Sequence, residues 1–78
     1  MTGLYIKTLV DRDPGYAVRV KFTYGDSVVV YDLSDRKPYI CDRSGERVPR
    51  EVYIEMNRKA YGIWAQARQK REQHPTFV

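Results

Sequence analysis

The chain has 78 residues, of which 42% are hydrophobic and 31% charged, which predicts one small globular domain and excludes a multidomain or disordered chain. Its single cysteine excludes an internal disulfide, and no apolar run approaches the roughly 18 residues that a membrane-spanning helix needs. The net charge of +4 favours an acidic partner. Because the N-terminus lacks the apolar region of a secretory signal, we expect a cytoplasmic protein.

The first predicted element is a strand over residues 4–10, "LYIKTLV". Its apolar side chains alternate with Tyr5 and Lys7, a period of two that is typical of a half-buried strand. The segment "DRDPG" follows, and the pair Pro14-Gly15 suits the centre of a type II turn. We therefore expect the next strand to run back antiparallel to the first.

The stretch "YAVRVKFTYGDSVVVYDL" predicts a β-hairpin. The Gly-Asp pair at residues 25–26 suits a two-residue type II′ turn, which fixes the register and places Phe22 opposite Val29. The other predicted pairs are Tyr24 with Ser27, Val20 with Tyr31, Val18 with Leu33, Arg19 with Asp32 and Lys21 with Val30. The alternation assigns one further group of side chains in the first strand to the opposite face, namely Ala17, Arg19, Lys21 and Thr23.

The segment "PYIC" at residues 38–41 predicts a short fourth strand, which Pro38 confines to a sheet edge or a strand start. A helix is predicted over residues 49–72, because Pro49 suits a first helical turn and the following apolar residues share one face. At about 100° per residue, seven of them fall within an arc of roughly 120°. They are Val52, Tyr53, Met56, Ala60, Ile63, Trp64 and Ala67. Trp64 should be the largest anchor of this arc.

Together these elements predict an α+β fold, a three- to four-stranded antiparallel β-meander packed on one face by a single C-terminal α-helix. The sheet should span about residues 4–42 of a single domain, with the helix at 49–72 and a frayed tail at 73–78.

No motif for catalysis or cofactor binding is found in the sequence, which lacks both a glycine-rich phosphate loop and a nucleophile elbow. The single histidine and single cysteine, His74 and Cys41, are too few for a zinc site. Cys41 is expected to fill apolar space, and most carboxylates fall in predicted turns, where aspartate bonds its own backbone. We therefore expect a protein that is not an enzyme and that needs no metal or cofactor.

One edge of the predicted helix combines arginines with two apolar residues that lie away from the core arc. We call this set the helix strip: Arg50, Ile54, Asn57, Arg58, Tyr61 and Arg68. Arginines can clamp carboxylates or phosphates, while tyrosine and isoleucine supply dry contact area. The strip therefore predicts a partner-binding surface. The alternatives are a solvated face that carries two scattered apolar residues and a second layer covered by the tail.

The second candidate is the face of the sheet that is turned away from the helix, which we call the open sheet face. Four of its predicted residues, Tyr5, Lys7, Arg19 and Lys21, combine basic groups with an aromatic ring, and Val28 and Val30 lie beside them. This combination is typical of a nucleic-acid platform. The alternatives are an ordinary exposed sheet face and a homodimer interface.

In its order of elements, three strands followed by a C-terminal helix, the chain is similar to the N-terminal domains of some integrases, which lay a sheet in the DNA major groove. In size, charge and lack of catalytic motifs it resembles the small accessory proteins of phages and mobile elements, including anti-CRISPR proteins. The second resemblance implies an inhibitor that docks on a host complex handling nucleic acid. The first implies DNA binding. Direct DNA or RNA binding through Lys7, Arg19 and Lys21 of the open sheet face is the alternative function.

Overall fold

The computed structural model describes residues 6–13 and 16–73. The elements in chain order are β1 (Lys7–Asp13), β2 (Tyr16–Tyr24), β3 (Ser27–Asp32), β4 (Tyr39–Ser44) and α1 (Arg50–Gln73). Consecutive strands are antiparallel neighbours in one open sheet of order β1-β2-β3-β4. The predicted α+β meander with one C-terminal helix is therefore confirmed, and "PYIC" contributes to a fourth strand.

The hairpin of β2 and β3 has the register that its turn predicts. Phe22 pairs with Val29, and every other predicted pair within the two strands is present. Just beyond them, the Leu33 N–H donates to the carbonyl oxygen of Val18 at 2.8 Å. Gly25 has a φ of 60°, which side chains disfavour, so glycine suits the first position of this turn.

Strand β1 ends later than the alternation predicts. It continues to Asp13 instead of stopping at Val10, because its last residue still pairs with Tyr16. Residues 4–5 of the predicted strand and the predicted turn at 14–15 lie outside the described residues.

A β-bulge in β2 corrects the predicted alternation of side chains. Asp11 pairs with Arg19 and Arg12 pairs with Ala17, so Val18 is an extra residue between them. The extra residue reverses the faces on its far side. Ala17 is consequently buried in the core at 1% exposure, whereas the alternation had placed it on the face of Arg19.

A second bulge lies at Cys41 in β4, because Val30 pairs with Asp42 while Tyr31 pairs with Ile40. All six residues of this edge strand are exposed. Cys41 is a free, exposed thiol, so the expectation that it fills apolar space is wrong.

Helix α1 packs its apolar arc on the sheet. Its first turn closes where the Tyr53 N–H donates to the carbonyl oxygen of Pro49 at 3.1 Å. The buried members of the arc are Val52, Met56, Ala60 and Ala67. The helix runs through Gln73, which the sequence had assigned to the frayed tail.

Trp64 is not the largest core anchor, because it lies at the flank of the arc and is only half-buried. The largest fully buried side chains come from the sheet instead, led by Tyr31 and Phe22. Their rings meet edge to face, with centroids 5.5 Å apart.

One helix cannot cover four strands. An α-helix is about 10 Å wide and neighbouring strands lie about 4.8 Å apart, so one helix shields roughly two strands. Helix α1 packs most closely on β2. Ile40 of β4 therefore stays 40% exposed, although it lies on the same face as its buried neighbour Tyr31.

Candidate partner-binding surface

The helix strip forms an accessible flank of α1. All six of its side chains are exposed. Ile54 and Tyr61 are 52% and 43% exposed, whereas Met56, almost opposite Ile54 around the helix axis, is completely buried. The two apolar residues that the sequence places among arginines therefore contact solvent and are free to contact a partner.

Asn57 connects the helix strip to the core. Its Oδ1 accepts a hydrogen bond of 2.6 Å from the hydroxyl group of Tyr31 in β3. Burial raises the pKa of Tyr31, and the nearby Tyr53 and Tyr61 raise it further, so this hydroxyl keeps its proton at neutral pH. Because the amide oxygen accepts this bond, the exposed Asn57 keeps its amide N–H groups as donors for a partner.

Trp64 contacts two residues at the C-terminal end of the helix strip. Its Nε1–H donates to the carbonyl oxygen of Asp35 at 3.2 Å, which ties the helix to the loop before β4. The ring of Tyr61 meets the Trp64 ring edge-on at 6.1 Å between centroids. The guanidinium of Arg68 lies over the same ring, 5.5 Å from its centroid. Two strip residues are thus held in place before any partner binds, which lowers the entropic cost of binding.

A depression of about 400 Å³ adjoins this aromatic group. It is lined by Ser34, Asp35, Arg36, Trp64 and Arg68. The Asp35 carboxylate accepts a 2.7 Å hydrogen bond from the backbone N–H of Arg36, which is local turn chemistry. The depression has room for a partner side chain beside Arg36 and Arg68.

Arginines extend along the whole helix strip. From Arg50 to Arg68 the helix rises about 27 Å at roughly 1.5 Å per residue. The Nη1 atom of Arg58 lies 3.8 Å from a carboxylate oxygen of Glu55, one turn earlier. Exposed pairs of this kind contribute little to stability, so Arg58 can exchange this carboxylate for one on a partner.

The part of this surface that β4 contributes was not predicted from the sequence. Ile40 and Arg43 lie on the helix side of the sheet, paired with core residues Tyr31 and Val29. The Arg43 Nη1 donates to the hydroxyl of Tyr53 at 3.0 Å, which joins the strand to the helix. The sequence does contain a signal for this exposed strand, because Pro38 predicts an edge strand and a single helix leaves such a strand uncovered.

The open sheet face has a more mixed charge than the sequence analysis assigned to it. Lys7, Arg19 and Lys21 are exposed there, while Tyr5 lies outside the described residues. The strand register confirms the predicted Asp32 opposite Arg19 and adds two further acidic residues to the same face, namely Asp11 and Asp42. The Asp32 carboxylate accepts hydrogen bonds from the Oγ and the backbone N–H of Ser34, which lower its pKa.

Within residues 6–13 and 16–73, no group of three or more histidine, cysteine or carboxylate side chains is arranged to hold a metal ion. Among the same residues, no helix is both long enough and apolar enough to cross a bilayer. Comparison of the chain with family models, with curated proteins and with solved structures finds no match.

Proposed function

We propose that this protein is a non-enzymatic binding module whose helix strip docks on an acidic surface of a partner protein. The observation that carries the proposal is the exposure of Ile54 and Tyr61 between arginines on one rigid helix. Tyrosine and arginine are enriched among residues that dominate binding energy, especially where apolar contacts exclude water around them.

The charge of the helix strip defines the class of partner. Arg50, Arg58 and Arg68 favour carboxylates, which guanidinium groups bind with two parallel hydrogen bonds. Arg36 and Arg43 border the same flank and add to its positive charge. An acidic protein groove satisfies these donors, and Tyr61 with Ile54 supplies the dry centre of the contact.

The proposed target is a complex that handles nucleic acid, bound at an acidic site and not in the groove that holds phosphates, because such a groove is basic and repels arginines. Occupation of that acidic site would inhibit the complex by steric and electrostatic means. This is the manner of action implied by the resemblance to accessory proteins of phages and mobile elements.

The experiment is affinity capture from a lysate of the source organism with wild-type protein and the triple variant Arg50→Ala, Tyr61→Ala, Arg68→Ala. The partner identified by mass is then purified and its binding is measured directly at two salt concentrations. We expect the triple variant to lose binding about 100-fold or more, since such contacts contribute about 1–4 kcal/mol each and are not additive.

The matched control is Lys59→Ala with Gln66→Ala and Gln69→Ala, three exposed changes on the remaining surface of α1. This control should bind as the wild type does. Equal capture of the same partner by the strip variant and the control, with circular dichroism confirming both folds, would contradict the proposal.

Direct nucleic-acid binding through the open sheet face is supported less well. Arg19 lies between Asp11 and Asp32 in the strand register, and these carboxylates repel phosphates. A mobility-shift assay with duplex DNA, single-stranded DNA and RNA tests this alternative. Binding at low salt that weakens with a slope near −0.9 per neutralised duplex phosphate would support it.

A further inference from the structure

The open sheet face is divided into a basic half and an acidic half. On β1 and β2 the charged side chains that the structure describes on this face are the bases Lys7, Arg19 and Lys21 and the acid Asp11. On β3 and β4 it carries acidic residues and no described basic residue, the acids being Asp32 and Asp42. The boundary between the two halves runs between β2 and β3.

The charges along this boundary lie close together: hydrogen bonds from Ser34 lower the pKa of Asp32, and the charge of Arg19 lowers it further. Arg19 stands directly opposite Asp32 in the register. Both side chains belong to the described part of the chain, and no ion pair within 4.0 Å joins Arg19 to Asp32. The Asp32 carboxylate instead accepts both hydrogen bonds from Ser34. The Arg19 guanidinium is therefore available to a carboxylate outside the chain.

We propose that the open sheet face binds a second copy of this chain, about a two-fold axis that runs parallel to β2 and β3 and between them. This rotation places β2 over β3 of the second copy and β1 over its β4. The basic half of each copy then meets the acidic half of the other. In such an isologous interface the contact between Arg19 and the Asp32 of the second copy occurs twice.

The shape of the open sheet face suits the same arrangement. A depression of about 640 Å³ lies on it, and its lining includes Val28 and Val30 of β3 together with Arg19 and Lys21 of β2. The two valines are half-buried, whereas Arg19 and Lys21 are exposed. With β2 over β3, the long stems of Arg19 and Lys21 of one copy lie over Val28 and Val30 of the other, where they cover valine surface.

The size of the face predicts a weak dimer. Four strands about 4.8 Å apart and about six residues long give a face of roughly 20 by 20 Å. That area of about 400 Å² per copy is half of what a stable interface buries on each partner. The charges remain near solvent, so dimerisation should weaken as salt screens them.

The experiment is sedimentation velocity of the full chain from about 10 µM to about 1 mM, the range in which small interfaces dissociate. We expect a concentration-dependent dimer at low salt that dissociates at high salt. Arg19→Asp and Asp32→Arg, each alone, place like charges opposite each other and should raise the dissociation constant about tenfold or more.

An equimolar mixture of the two variants is the decisive sample. In the mixed dimer the carboxylate introduced by R19D faces the guanidinium introduced by D32R, and the remaining native pair is also retained. We expect the mixture to recover dimerisation. Each variant carries the same change within its own chain whether alone or mixed, so an effect on folding cannot produce this recovery.

Lys59→Asp is the matched control, since it removes the same kind of charge from the exposed helix surface and should dimerise as the wild type does. If R19D or D32R does not fold, the neutral variants Arg19→Gln and Asp32→Asn replace them, and each should weaken the dimer.

A wild type that stays monomeric at about 1 mM in low salt overturns the inference, because an interface of this size should dimerise below that concentration. It is also overturned by a mixture without recovery, by neutral variants that dimerise as the wild type does, or by duplex DNA that binds this face. The inference concerns a different surface from the helix strip and stands or falls independently of it.

Discussion

Tyr31 and Asn57 join the core of the sheet to the helix strip through one hydrogen bond of 2.6 Å between the tyrosine hydroxyl and the amide Oδ1. The tyrosine ring is buried against Phe22, while the asparagine is exposed on α1. The ring of Tyr31 therefore packs in the core, while its hydroxyl group bonds to a residue of the helix strip. This links the stability of the fold to the geometry of the surface.

We expect Tyr31→Phe to lower the free energy of unfolding by about 1 kcal/mol, because the ring stays packed and one hydrogen bond is lost. Urea denaturation measures this change. Asn57→Ala removes the same bond from its other end, so a double-mutant cycle should show a coupling between the two sites. Additive effects of the two substitutions would contradict a stabilising bond between them.

Phe22→Ala should be the more damaging of two aromatic truncations. Phe22 is completely buried, and its loss should cost about 3–5 kcal/mol, which is comparable with the whole stability of so small a domain. Trp64 is half-buried, so Trp64→Ala should cost about half as much. Thermal melts followed by circular dichroism give the order, and a lower melting temperature for the Trp64 variant than for the Phe22 variant would contradict it.

Two glycines should respond to alanine in opposite directions. Gly45 has a φ of 91°, and an added Cβ would clash with the backbone of Asp26 and Ser27, so Gly45→Ala should destabilise by more than about 1 kcal/mol. Gly62 lies in α1 with open space around it, so Gly62→Ala should stabilise by about 0.5–1 kcal/mol. Urea midpoints measure both, and a shift of the same sign would contradict this assignment.

Asp32 should make stability depend on acid pH. The hydrogen bonds from Ser34 lower its pKa below the usual value of 3.8. A lowered pKa in the folded state contributes stability above the usual value, and that contribution is lost as the pH falls through the folded pKa. Ser34→Ala should raise the pKa of Asp32 and reduce this acid dependence, as NMR titration and urea melts at low pH would measure. An unchanged titration of Asp32 in the variant would contradict the role of Ser34.

The hairpin was predictable because two independent signals agreed. The Gly25 turn and the period-two pattern both place Phe22 opposite Val29, and the structure has that pair. The bulge at Val18 was not predictable, because an inserted residue carries no distinctive side chain and only the pairing with β1 places it there. Burial of Ala17 follows from that pairing, which is long-range information.

The exposure of the helix strip was predictable, because helical spacing alone places Ile54 and Tyr61 on a different side of the helix from Met56. The contacts that position it were not. They depend on where the sheet meets the helix: Tyr31 reaches Asn57, and Arg43 reaches Tyr53. Asp32 was predicted on the open sheet face opposite Arg19, and the structure has that pair. Asp11 and Asp42 were missed because they were assigned to turns, whereas β1 and β4 extend far enough to pair them within the sheet.

The central claim, that the helix strip contacts an acidic protein, is tested most directly by site-specific photocrosslinking. A benzophenone amino acid replaces Tyr61 in one variant and the exposed Gln66, across the helix, in another. We expect position 61 to crosslink to one protein at an acidic segment mapped by mass spectrometry, and position 66 not to do so. Crosslinking to that protein from position 66 but not from position 61 would contradict the account.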